Sequence, residues 1–139
     1  MKPSDWIVCG AVVSGLAVAA GAFGAHGLKA HLVRENMSHQ EKADVEHRLE
    51  IHETAARYQM YHGLALILVG LVAARTAGPA AMVAGWSFLV GAVIFCGCLY
   101  GLVFAGPRIL GAVVPIGGVG FIIGWLALAV AAWQTRRMA

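Results

Sequence analysis

Residues 109–134 read ILGAVVPIGGVGFIIGWLALAVAAWQ, and no charged side chain interrupts them. Three more stretches of this kind precede it, at residues 6–27, 58–74 and 78–105. A hydrocarbon core about 30 Å thick requires roughly 17–25 apolar residues per helix, so each stretch has the length of a membrane span. We therefore predict an all-α integral membrane protein, an antiparallel four-transmembrane-helix bundle that forms a single domain over residues 1–139.

Composition agrees with this class. Hydrophobic residues make up 60% of the chain and charged residues 12%, against about 45–50% and about 25% in soluble domains. The net charge of +3 does not indicate nucleic acid here, because basic residues beside membrane spans record orientation and contact with anionic head groups. We expect membrane lipids as partners and no nucleic acid.

The connection between the first two stretches, residues 28–57, carries most of the charged side chains. Ser38 and Glu41 have the spacing of a capping box, and Glu53 precedes Arg57 by about one helical turn. We therefore predict a long, partly helical first connection. One helix should begin outside the membrane and run directly into the second span.

Two short links, near residues 75–79 and 106–108, join the remaining spans and force antiparallel neighbours. Both termini then share one side of the membrane, and the long connection lies on the other. The basic residues outside that connection are Lys2, Arg75, Arg108, Arg136 and Arg137. Their distribution favours a cytoplasmic long connection and external termini.

Small residues recur along the predicted helices, where they would let two backbones approach closely. We interpret them mainly as packing within the chain, with a homo-oligomer or a larger membrane complex as the alternative. The predicted helix-packing residues are Gly10, Ser14, Gly21, Gly97, Gly101, Gly120 and Gly124. Pro115 should kink the fourth helix or mark its true start.

Polar side chains gather at one level of the predicted bundle. Tyr58 and His62 are four residues apart on the second span, Gln59 is close to both, and His26 ends the first span. Such a cluster indicates either hydrogen bonds that fix helix register or a polar pocket near one membrane face. The pocket would suit the head of an amphiphile such as a lipid or quinone.

Two other functions remain open from the sequence. One is a small-solute transporter or channel, and the other is a redox carrier with haem or metal, for which His26 and His62 form the only intramembrane pair. No motif identifies a cofactor, and Cys96 and Cys98 point about 200° apart on a helix, so they cannot hold one metal ion together. We expect no metal site, and solvated side chains, for the histidines of the long connection: His31, His39, His47 and His52.

Four motifs, taken in order, resemble the domain of unknown function 423 family of small membrane proteins. They are GAFGAHG at 21–27, YQMYH at 58–62, FCGCLY at 95–100, and PIGG at 115–118 followed by Gly124-Trp125. The resemblance touches all four spans and implies a multi-pass protein of the bacterial plasma (inner) membrane. It supplies no reaction, and the cysteines of the third motif depart from the serines usual in the family.

Topology and resemblance together favour one set of residues in the same half of the bundle. The predicted ligand-binding residues are His26, Tyr58, Gln59, His62, Tyr100, Pro115, Gly117 and Gly118. We predict a non-catalytic accessory or binding protein.

Overall fold

All regular structure in the described part of the chain is helical. The computed structural model describes residues 1–76, 78–104, 106–107 and 109–135. The helices are α1 at Pro3–Leu32, α2 at His39–Ala73, α3 at Pro79–Phe104 and α4 at Ile109–Thr135. The predicted all-α class is confirmed.

Three of these helices, α1, α3 and α4, are long and apolar enough to cross a membrane. The predicted spans 6–27, 78–105 and 109–134 fall on them, apart from Gly78, which precedes α3, and Ala105, which lies outside the described residues. The predicted span 58–74 forms the second half of α2, apart from Ala74, which follows it, and is not among these candidate spans.

More of the connection 28–57 is helical than predicted. Helix α1 continues past residue 27 through a π-helical turn at Gly24–Leu28 and a last α-helical turn at Lys29–Leu32. Only residues 33–38 of the predicted connection 28–57 are therefore non-helical. The sequence indicated helix only after residue 38, so the extension of α1 was not predicted.

Helix α2 begins at the predicted capping box. The N–H of Glu41 donates to the Ser38 hydroxyl at 3.3 Å, and the N–H of Ser38 donates to the Glu41 carboxylate at 2.8 Å. The Ser38 N–H and the Ser38 hydroxyl, which also donates to the Glu41 carboxylate at 2.8 Å, lower the pKa of the Glu41 carboxyl. The 35 residues of α2 extend about 52 Å, which exceeds a bilayer core of about 30 Å. The predicted continuous helix from the capping box through the second apolar stretch is therefore confirmed. That its first half lies outside the membrane stays a prediction.

Neighbouring helices run antiparallel. Ile7 meets Gly70 and Gly10 meets Gly63, so residue numbers rise along α1 as they fall along α2. The same reversal relates α3 to α4 in the pairs Phe88–Gly124 and Gly91–Gly117. Helices α2 and α3 also pack on each other, which places them between α1 and α4. Contacts between α2 and α4 are sparse, and this gap positions the candidate site.

The core takes side chains from all four helices. Trp6 is 1% exposed and packs under Gly85, while Phe88 and Leu66 are fully buried. Large apolar side chains cover the outward faces of all four helices, for example Val12, Leu68, Val93 and Ile122. Apolar surface of this extent is unfavourable in water and is expected where the surroundings are lipid.

The predicted helix-packing residues divide into two groups. A methyl group at Gly10 would lie 2.8 Å from the backbone nitrogen of Ile67, and one at Gly63 would overlap Ser14. Gly101, Gly120 and Gly124 have close neighbours, which are Leu110, Gly91 and Phe88 respectively. Methyl groups at Gly21 and Gly97 would meet no other described atom, so these two do not mediate close packing within the chain.

Candidate functional site

An open groove lies between α2 and α4, with a volume of about 620 Å³. We call it the α2–α4 groove. Helix α2 contributes three polar aromatic side chains, α3 contributes Phe95, and α4 contributes the remaining, mostly apolar wall. The lining residues are Tyr58, Tyr61, His62, Phe95, Pro115, Gly118, Val119, Phe121, Ile122 and Trp125. A concave, mostly apolar surface with a few polar groups is the usual form of a small-molecule site.

His62 is held in one orientation at the base of the groove. Its Nδ1 lies 2.8 Å from the carbonyl oxygen of Tyr58, and a carbonyl oxygen can only accept, so Nδ1 carries the proton. The imidazole stacks on Phe121 with ring centroids 3.4 Å apart and planes 7° apart. In the neutral ring Nε2 then keeps its lone pair, and no described residue donates to it.

Aromatic rings from α2, α3 and α4 also line the groove. Tyr58 stacks on Phe95 with centroids 4.8 Å apart, and Trp125 packs edge-on against Phe88 at 5.1 Å. Tyr58 is 38% exposed and Tyr61 is 52% exposed, and neither hydroxyl bonds to a described residue. The groove therefore combines apolar walls with two phenol groups that are free to bond a ligand.

Gln59 and Tyr100 form a separate network on another face of α2. The Tyr100 hydroxyl donates to Gln59 Oε1 at 2.9 Å, and Gln59 Nε2 donates to the carbonyl oxygen of Val13 at 3.1 Å. This chain links α3, α2 and α1. The two residues thus fix helix register and do not line the groove.

Sequence reasoning missed His52, which is 3% exposed. Its ring packs at 5.2 Å from that of Tyr100, and a methyl group at Gly24 would lie 2.8 Å from its Cε1. Burial lowers the pKa of the His52 imidazole. The prediction of solvated histidines is wrong here, whereas His31, His39 and His47 are exposed. The signal was present in the sequence, because His52 shares a helical stripe with the buried residues 55, 62, 63 and 66.

His26 does not join the other predicted site residues. It is exposed on the π-helical turn of α1. His62 lies beside Gly63, which contacts Ser14, and His26 is twelve residues beyond Ser14 along α1. At 1.5 Å per residue this separates the two histidines by about 18 Å in depth. The haem alternative required both at one level, and this geometry does not support it.

The Pro115 motif divides between the groove and the α3–α4 interface. Pro115 lies inside α4, which begins at Ile109, so the prediction that it could mark the true start of the helix is wrong. Pro115 and Gly118 line the groove. Gly117 is buried, and a methyl group there would lie 2.6 Å from the backbone nitrogen of Phe95. Gly117 therefore allows α3 and α4 to touch.

Metal ligands do not cluster in residues 1–76, 78–104, 106–107 and 109–135, where no group of three or more His, Cys, Asp or Glu could hold an ion. Cys96 is buried, Cys9 and Cys98 are half-buried, and all three thiols are free. The site is therefore best described by its groove and its uncharged polar groups.

A family model described as "Protein of unknown function (DUF423)" matches residues 20–118. The chain belongs to the DUF423 family. Over 126 residues it is 46% identical to a UPF0382 membrane protein of Staphylococcus epidermidis, covering 91% of the chain and 93% of that relative. A UPF0382 membrane protein of Staphylococcus haemolyticus is 42% identical over 129 residues, which cover 93% of the chain and 95% of the relative.

These comparisons confirm the resemblance predicted from the four motifs. This DUF423 protein is a membrane protein. Two observations agree on this: its relatives are named membrane proteins, and three of its helices are long and apolar enough to cross a membrane. No solved structure is significantly similar to it. The family model ends at residue 118, so it covers Tyr58, His62 and Pro115 of the groove.

Proposed function

We propose that this DUF423 protein is a multi-pass protein of a bacterial inner membrane, crosses it four times, and binds an amphiphile in the α2–α4 groove. It acts as a non-catalytic accessory or binding protein. The observation that carries the binding role is the groove itself: two tyrosines and one histidine line an otherwise mostly apolar, open surface.

Packing supports the proposed fourth crossing. Helix α2 lies antiparallel between α1 and α3, and both neighbours are candidate spans. Gly63 and Gly70 meet the middle and the start of α1, so the second half of α2 shares the depth of a helix that spans. The polar side chains of this half then face Tyr100, Val13 and the groove, as intramembrane polar groups usually do.

We also propose the orientation that places residues 33–38 in the cytoplasm and the termini outside. The connection is rich in Lys and Arg, and by the positive-inside rule such a segment lies on the cytoplasmic side, which supports this orientation. Arg108, Arg136 and Arg137, which enter the same count, lie outside the described residues. A single exposed cysteine at Asn36, in a chain freed of its native thiols, would report this side by its reaction with a membrane-impermeant maleimide.

The binding role is tested by filling the groove. Ile122 lines the α2–α4 groove and is 62% exposed, whereas Ile123 is 46% exposed and is not part of the lining. Ile122→Trp should block the groove, and Ile123→Trp adds the same side chain to a lipid-facing position. Native mass spectrometry of gently purified protein should show a stoichiometric small-molecule adduct in the wild type and in Ile123→Trp, but not in Ile122→Trp. An adduct that is the same in all three proteins, or is absent from the wild type, would refute the proposal.

A further inference from the structure

The residues that the structure describes in the lining of the α2–α4 groove carry no formal charge. Its described lining contains tyrosine, histidine, proline, glycine and apolar residues, and no Lys, Arg, Asp or Glu. Arg57 precedes Tyr58 in the chain, but its guanidinium pairs with Glu53 at 2.9 Å and it does not line the groove. A phosphate head group would therefore enter the groove without a counter-charge, which is costly where water is scarce.

The polar groups instead match a neutral head that both accepts and donates. The hydroxyls of Tyr58 and Tyr61 have no partner among the described residues and can donate to a carbonyl oxygen. His62 presents the opposite function, because its Nδ1–H is used by the Tyr58 carbonyl and Nε2 is left as an acceptor. The tyrosine hydroxyls would donate to the carbonyl oxygens of an oxidised ring, and His62 Nε2 would accept from the hydroxyl of the same ring in its reduced form.

The walls are suited to a flat ring with an apolar tail. Tyr58 on Phe95 and His62 on Phe121 are already stacked pairs, at 4.8 Å and 3.4 Å between centroids. A planar head can pack against such rings by offset stacking. Val119, Ile122 and Trp125 continue the surface along α4 without a polar group other than the indole N–H.

We infer that the amphiphile bound in the α2–α4 groove is a lipid-soluble quinone: an uncharged carbonyl-bearing ring with an apolar tail. This inference rests on the proposed binding role and specifies its ligand class. It concerns binding of the ring, in either of its hydrogen-bonding forms, and involves no reaction in the groove.

Trp125 provides a reporter inside the groove, because quinones quench indole fluorescence on contact. Trp125 and Trp86 are similarly exposed, at 46% and 49%, but only Trp125 lines the groove. The protein in lipid nanodiscs would be titrated with decylubiquinone as the quinone probe and, separately, reconstituted with dibrominated phosphatidylglycerol as the phospholipid probe. Wild type would be compared with Trp125→Phe and Trp86→Phe.

We expect saturable quenching by decylubiquinone in the wild type and in Trp86→Phe, and loss of the saturable part in Trp125→Phe. Tyr61→Phe keeps the ring and removes one donor, so the quinone dissociation constant should rise about three- to tenfold. The brominated lipid should quench Trp86 and Trp125 alike, as bulk solvent does.

The other outcomes separate the two proposals. Saturable quenching of Trp125 by brominated phosphatidylglycerol, with none by decylubiquinone, would overturn the quinone inference and leave amphiphile binding intact. Quenching by decylubiquinone that is linear and equal in Trp125→Phe and Trp86→Phe would show simple partition into the bilayer and overturn the inference. No saturable quenching by either probe, together with no adduct in mass spectrometry, would refute both.

Discussion

Helix α2 meets α1 and α4 in two different ways. Toward α1 it presents Gly63 and Gly70, and the two backbones touch. Toward α4 it presents Tyr58, Tyr61 and His62, and a groove of about 620 Å³ remains. Lipid tails are as apolar as the side chains, so helices in a bilayer hold together through close packing and hydrogen bonds. Side-chain size on the two faces of α2 therefore decides that the α1–α2 interface closes and the α2–α4 interface stays open to a ligand.

Adding a methyl group to the closed interface should have the largest effect. In Gly63→Ala the new carbon would overlap the Ser14 hydroxyl and lie 2.9 Å from the Ser14 backbone nitrogen and 3.1 Å from the Gly10 carbonyl oxygen. Backbone atoms on a packed helix cannot move aside cheaply, so the free energy of unfolding should fall by about 3 kcal/mol. Unfolding in mixed micelles at increasing SDS fraction, followed by circular dichroism, measures this.

Gly97→Ala is the matched control for this substitution. It adds the same methyl group to a helix of the same bundle, at a position where nothing described lies within 4 Å. Its stability should equal or slightly exceed that of the wild type, because alanine has the higher helix propensity. Equal losses in the two variants would mean that the α1–α2 interface is not closed as described.

Removing the hydrogen bond that links α2 to α3 should have an intermediate effect. Tyr100→Phe deletes the donor to Gln59 Oε1 and leaves that oxygen without its partner. Interhelical hydrogen bonds in membrane proteins contribute about 0.6 kcal/mol on average and up to about 1.7, so we expect a loss of about 1 kcal/mol. A double-mutant cycle with Gln59→Leu checks the pairing, and two losses that simply add would show that the residues do not interact.

Tyr100→Phe also sharpens the comparison between the two interfaces. Tyr100 does not line the α2–α4 groove, so the variant should lose stability yet keep the ligand affinity of the wild type under native conditions. Tyr61→Phe should do the reverse, because its hydroxyl faces the groove and bonds to no described residue.

The sequence predicted the part of the fold that depends on solvent and on local patterns. Apolar length located α1, α3 and α4, and the spacing of Ser38 and Glu41 located the start of α2. The four-residue spacing of Tyr58 and His62 predicted that they share a face of α2, and both line the groove, whereas Gln59 does not.

What the sequence did not predict depends on how two helices are aligned. The depth of His26 relative to His62 follows from which residue of α1 meets Gly63, and no local pattern contains that register. His52 was assigned to solvent although its helical stripe indicated burial, and the residues that cover it, Gly24, Tyr100 and Phe104, come from other helices. Phe121 and Trp125 line the groove but were not predicted to do so, because nothing in the sequence distinguishes them from the other apolar residues of α4.

Protonation of His52, which packs against α1 and α3, should give the smallest change in the free energy of unfolding. His52 lies outside the proposed span 58–74, and burial lowers its pKa below the ordinary value of 6.5. The unfolded chain then binds a proton more readily than the folded one, so the stabilisation is complete above about pH 6.5 and is lost as pH falls toward the folded pKa. The charged groups that line the same small cavity as His52 are Lys29 and Glu53. The free energy of unfolding of the wild type in SDS should therefore decrease from pH 7.5 to 5.5, and His52→Gln should flatten this pH dependence.

His47→Gln is the control, because His47 is an exposed residue of the same helix, and it should leave the pH dependence unchanged. A pH dependence that disappears in His47→Gln but persists in His52→Gln would place the titrating group elsewhere.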